Sequence, residues 1–230
     1  MRSKFVLLVA AVAVCAFAAQ DGQKFERKYK AGESDAYTMS MAMETGMGSI
    51  DVAMTMTQTI KKVFDNGDAD IETSIGSMKI NAMGNEMSPP APPATTTRMN
   101  KRGVAVQAAQ GVPAGGRAAG GMGMMLNFTR FGGIMTDGEM KVGVAVPFED
   151  KESGSKGTVT LESLKDGVAV LVSKIEVKNP NGGAPMVVDT RSWVDSATSK
   201  LDKLEGTIKN PPGQDQMPIE SIKMSMVRKK

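Results

Sequence analysis

The chain has 230 residues, 41% hydrophobic but only 4% aromatic, with 28 basic and 25 acidic side chains and a formal net charge of +3. It has no histidine and a single cysteine, which excludes Ser-His-Asp and Cys-His nucleophilic sites and histidine-bound zinc. The near balance of charge offers no electrostatic footprint for nucleic acid.

The first residues, MRSKFVLLVAAVAVCAFAAQDGQ, have the three parts of a secretory signal. Arg2 and Lys4 supply positive charge, Phe5 to Phe17 an apolar run, and Ala16, Ala18 and Ala19 the small residues of a cleavage site. Cleavage is expected near Ala18. The apolar run is shorter than the roughly 20 residues a bilayer requires. Removing residues 1–18 takes two basic residues and no acidic one, leaving a net charge of about +1. A lipid-bearing cysteine normally follows a small residue, and Val14 before Cys15 argues against lipidation there. The mature chain then has no cysteine and stands without disulfides.

Residues 19–84 form a first β-hairpin region. Tyr37, Met39, Met41 and Met43 alternate with polar or small residues, as do Val52, Met54 and Met56, and ETGMGSI between them supplies the glycines of a turn. The spacing predicts two strands with methionine on the same face of both. A second hairpin turns at Asp65, Asn66 and Gly67. A three-residue loop there, with Gly67 left-handed, pairs Met54 with Met78, Val52 with Ile80 and Lys62 with Asp70, keeping apolar opposite apolar and charge opposite countercharge. Ile71 and Ile75 then fall on the other parity, which calls for a bulge at Gly76.

Residues 85–121 are rich in Pro, Ala and Gly and read as an exposed, partly disordered linker, with a short strand near Gly103 to Gln107. Residues 122–230 carry the second β-hairpin region, which forms one domain with the first. It opens on Met122, Met125, Leu126, Phe128 and Phe131, whose spacing predicts a short amphipathic helix over 122–131. Strands follow, with hairpins at Asp166-Gly167 and Ala197 to Ser199, and a last strand in which Ile222, Met224 and Met226 alternate. YKAGESDAYTM and MKVGVAVPFED both open on Lys-x-Gly ahead of a strand and a hairpin, the pattern of an internal duplication.

No catalytic residue stands out. The acidic residues lie in turns or on the polar parity of strands, and DNGDADIE lacks the spacing of a calcium loop. That leaves the methionines Met39, Met41, Met43, Met54, Met56, Met78, Met224 and Met226. As thioethers they suit Cu(I), as adaptable apolar side chains they suit a hydrophobic ligand, and as plain replacements for Val, Leu and Ile they suit a sheet core.

A signal-like start, Lys-x-Gly strand openings, Met-x-Met alternation, a proline-rich excursion, a short helix and the hairpin WVDSATSKL together resemble uncharacterised exported bacterial proteins of the lipoprotein-carrier-like antiparallel half-barrel group. The resemblance covers most of the mature chain and rests on pattern, so no single binding residue is carried over. It implies a curved sheet with its concave apolar face covered by helix or linker; in the carriers that face holds acyl chains. The expected fold is mainly β, a curved antiparallel sheet or half-barrel of about eight to eleven strands with one short helix and a disordered central linker. The expected function is that of a secreted or periplasmic, non-enzymatic protein binding a lipid, another hydrophobic ligand or a lipidated protein on its apolar face. Neither a cofactor, a nucleic-acid partner nor an integral membrane segment in the mature chain is expected. An envelope-associated structural protein without ligand is the alternative, and methionine-bound Cu(I) the third.

Overall fold

The computed structural model describes residues 22–110, 136–150, 155–178, 184–211 and 219–230. The signal-like segment with Cys15 and the helix expected over 122–131 lie outside these residues. Among the described residues the elements are all strands: β1 (Ser34–Thr45), β2 (Gly48–Val63), β3 (Ala69–Ala82), β4 (Asn85–Met87), β5 (Thr95–Met99), β6 (Ala105–Gln110), β7 (Ala145–Asp150), β8 (Ser155–Lys165), β9 (Val168–Val177), β10 (Met186–Asp195), β11 (Leu201–Lys209) and β12 (Ile219–Arg228). They form one open antiparallel sheet in the order β6-β5-β3-β2-β1-β12-β11-β10-β9-β8-β7, with β4 pairing β3. None of the described elements is a helix long and apolar enough to cross a membrane, which says nothing about strands.

Part of the segment expected as a linker belongs to the sheet. Residues 85–110 carry β4, β5 and β6, which raises the strand number above the expected eight to eleven. The prolines sit between strands, at 89–93, and the β-branched Thr95, Thr96 and Thr97 beyond them favour a pleated surface. β5 is anchored where Met99 pairs Ala69 and Arg98 forks onto Asp70 at 2.8 and 3.2 Å.

The sheet is rolled, as the chain's own reach requires. Laid flat, its eleven-strand path would hold the outer strands about 48 Å apart at the usual strand spacing. Yet Gln23 exchanges backbone hydrogen bonds with Met140, just before edge strand β7, while Arg27 donates to Lys101 O, just before edge strand β6. Four residues span at most about 14 Å. Arg102 also reaches Asp137 directly, at 2.8 Å. The two edges are therefore drawn together at this end, and the apolar parity faces inward as one cluster drawn from β1–β3 and β8–β12.

The register follows from side-chain chemistry. Met54 pairs Met78, Val52 pairs Ile80 and Lys62 pairs Asp70, through a loop in which Gly67 has φ +83° and donates to Phe64 O. Gly76 and Ser77 together face Thr55, which is the bulge. Thr55 Oγ1 accepts the Ser77 amide at 3.0 Å, satisfying a group the bulge frees. A second bulge at Lys61, unforeseen from the pattern, restores the parity that the first one shifts.

The two Lys-x-Gly openings are alike in backbone detail. Gly32 (φ +82°) donates to Ile60 O, and Gly143 (φ +77°) donates to Leu161 O, both at 2.8 Å. Each lies two residues before a strand, and the pairs Ser34–Thr59 and Ala145–Thr160 follow. Lys61 and Glu162 are the extra residues of equivalent bulges. β1-β2-β3 and β7-β8-β9 thus share one plan.

One glycine fixes the strand packing. A Cβ on Gly157 would lie 2.1 Å from Lys174 O and 2.8 Å from Ile175 Cα, both rigid backbone of β9. Gly157→Ala is expected to cost about 1–3 kcal/mol, read as a lowered urea midpoint at unchanged slope. Gly46→Ala, with nothing within 4 Å, is expected to leave the midpoint in place.

Candidate functional site

Strand pairing sets the methionines side by side. Met226 pairs Met39, Met39 pairs Met54 and Met54 pairs Met78, so four thioethers form a continuous row across β12, β1, β2 and β3. Met224 and Met41 pair in the adjacent row, which continues through Val52 and Ile80. Met56, between Tyr37 and Ile75, lies toward the opposite end of the strands. Of the eight methionines singled out on the sequence, Met43 is half-buried and the others are 2–6% exposed. The face is therefore filled by the protein's own side chains, and burial of each contributes about 1.5–3 kcal/mol.

The two ends of this core differ. At the end where β1 begins, the segment 22–30 is bonded to Met140, Lys101 and Thr198, and its Phe25 joins the same buried core as Tyr37 and Met140. Ion pairs surround the plug: Lys200 with Glu33 and Asp35, and Arg228 with Asp35 and Asp202. The Tyr37 hydroxyl finds no hydrogen-bond partner among the described residues, and burial pushes its pKa up to about 12.

At the end where β1 finishes, burial fades. Met43, Ile50 and Ile80 are half-buried on β1, β2 and β3, as are Ile219, Met186 and Val177 on β12, β10 and β9, with Phe148 on β7. Beyond them Met47 is 58% exposed, Met83 59% and Met87 51%, while the exposed apolar side chains toward the other end are the valines Val106, Val142, Val144 and Val227. Met47 occupies the β1–β2 turn, where Thr45 Oγ1 accepts its amide, and Met83 the β3–β4 turn. Met87 pairs Ile80 and shares its face. Among the described residues no side chain caps this end, a contrast that pattern reading missed together with the burial of Phe25 at the other. Methionine at two turn tips, where Asn, Asp or Gly is usual, was the available signal.

A trough of about 1040 Å³ crosses mid-strand, lined by Ser40, Ala42 and Ala53 of the polar parity and also by Met41, Val52 and Met224. Lys79 pairs with Glu86 and Arg191 with Glu162 along it, and Asp51, Lys174, Asp189, Glu205 and Lys223 line it as well, so both signs of charge are interspersed. No group of His, Cys, Asp or Glu among the described residues could hold a metal. The thioether row is a soft donor set of the kind Cu(I) accepts.

No family model matches the chain, and no curated protein does. Solved structures do show similarity. An exported protein with a YmcC-like fold from Bacteroides fragilis is 10% identical, with 90% of this chain and 100% of that one covered, at a TM-score of 0.29. An AttH protein from Nitrosomonas europaea is 12% identical, with 97% and 57% covered, at 0.22. An outer membrane lipoprotein-sorting protein domain from Vibrio parahaemolyticus is 10% identical, with 88% and 86% covered, at 0.24. Identities this low leave no residue to be carried over.

The Tyr37 environment sets an alkaline dependence. Its folded pKa of about 12 lies above the unfolded value near 10, so stability is intact below pH 10 and falls between pH 10 and 12, where only the unfolded chain ionises. Tyr37→Phe is expected to lessen that fall in melting temperature. At pH 7 it should leave stability unchanged or raise it by up to about 1 kcal/mol, since no hydrogen bond is lost. A clear loss at pH 7 would contradict the hydroxyl's lack of a partner.

Proposed function

We propose that this chain is an exported, non-enzymatic binding protein that takes an apolar chain, the acyl tail of a lipid or of a lipidated protein, through the open end and against the methionine face. The observation that carries this is the gradient of burial. The core is plugged by Phe25 at one end and passes, at the other, through a half-buried rim to exposed Met47, Met83 and Met87. A closed core needs no such rim, and clustered exposed apolar side chains mark surfaces that meet another apolar body. Methionine suits the task because its unbranched chain can shift aside and repack around a guest. The signal-like N-terminal segment supports secretion or periplasmic residence.

Native mass spectrometry of protein purified from its own host separates the readings. An adduct of acyl-lipid mass supports apolar binding, a copper adduct supports thioether-bound Cu(I) on the Met226–Met78 row, and bare protein supports a structural role. Ile50→Asp on the rim is expected to weaken binding of a fluorescent acyl probe about tenfold or more, equivalent to about 1.4 kcal/mol. Ser40→Asp on the polar face is expected to leave it unchanged.

A further inference from the structure

We infer that Met47, Met83 and Met87 form a reversible oxidation site that switches the rim of the open end from apolar to polar, an assignment resting on the binding role just described. Sulfoxide formation follows access to the thioether sulfur. Among the described residues these three methionines are 51–59% exposed, Met43, Met99 and Met186 are half-buried, and Met39, Met54, Met78 and Met226 in the buried row are 3–6% exposed. The exposed three also share one place. Met47 and Met83 occupy the turns of adjacent hairpins, and Met87 pairs Ile80 next to the second turn.

The position of Met83 is a costly one for methionine. Met83 has φ +52°, the left-handed region that Asn, Asp or Gly fills without penalty. Met47 lies between Gly46 and Gly48, with a Cβ on either glycine meeting nothing. Neither turn geometry nor core packing asks for a thioether at these tips, so its chemistry is what distinguishes it from the polar residues usual there.

The oxidant class is a peroxide. Hydrogen peroxide transfers one oxygen to the sulfur; the O–O bond breaks, the thioether is oxidised to a sulfoxide, and the other peroxide oxygen leaves as water. The product is polar, and methionine sulfoxide reductases return it to the thioether. Three sulfoxides on the rim would oppose entry of an apolar chain while the buried row keeps the fold.

The test treats the folded full chain with dilute hydrogen peroxide and follows each methionine by peptide mass mapping. Met47, Met83 and Met87 are expected to oxidise about tenfold or more faster than Met39, Met54, Met78 and Met226, following their exposure. Retention on a hydrophobic-interaction column and binding of a fluorescent acyl probe should fall together, then return after reductase treatment. A variant carrying Met47→Leu, Met83→Leu and Met87→Leu should keep both properties and lose their peroxide sensitivity. Equal rates at buried and exposed methionines, or a Leu variant as sensitive as the parent, would overturn the assignment. A parent that binds no probe before oxidation, yet shows the rate ordering and the retention change, would overturn the binding role and leave the oxidation site standing.

Discussion

A single sheet with one apolar face must bury that face, and among the described residues no second layer lies over it. The sheet instead curls on itself, and the contacts that hold the curl are few. Gln23 to Met140, Arg27 to Lys101 and Arg102 to Asp137 bring the edge strands β6 and β7 to one end. The same strap inserts Phe25, so closing the roll and plugging its end are one event. Everything interior follows from this: methionines on β1–β3 and β12 belong to the same core as the aliphatic side chains of β8–β11.

The curl also makes the ends unequal. Hydrogen bonds, ion pairs and aromatic insertion gather where β1 begins, while half-buried Met43, Ile50 and Ile80 and exposed methionines gather where it finishes. A duplicated plan would by itself give two similar halves, and the equivalent turns at Gly32 and Gly143 show that it does so locally. What differs is composition. The core positions of β9–β11 are aliphatic and fully or nearly fully buried, Ile175, Val188 and Ile208 beside Leu171, Leu201 and Leu204, whereas β1–β3 and β12 carry the thioethers.

The sequence was most informative where two physical demands coincided. The Met54–Met78 register was legible because apolar pairing and the Lys62–Asp70 charge pair pointed to one loop length, and the bulge at Gly76 because parity could not close without it. β5 was hidden because composition was averaged over 85–121, so the threonines at 95–97 were outweighed by the prolines before them. The second bulge at Lys61 was not legible, since one shift satisfies the local pattern and only long-range pairing demands its reversal. Identifying methionine as the inward face was possible from alternation alone. Which end of that face is closed was not, because the answer lies in backbone bonds between Gln23, Met140 and Lys101, residues distant in the chain.

The claim that one end of the methionine core admits an apolar chain is tested most directly by methyl NMR of protein labelled at the methionine methyl groups, titrated with an acyl-chain lipid. The account predicts shifts at Met43, Met47, Met83, Met87 and Met186 at the open end, extending inward to Met41, with Met140 beside the Phe25 plug unmoved. Shifts centred on Met140, or none at any methionine while the lipid binds, would contradict it.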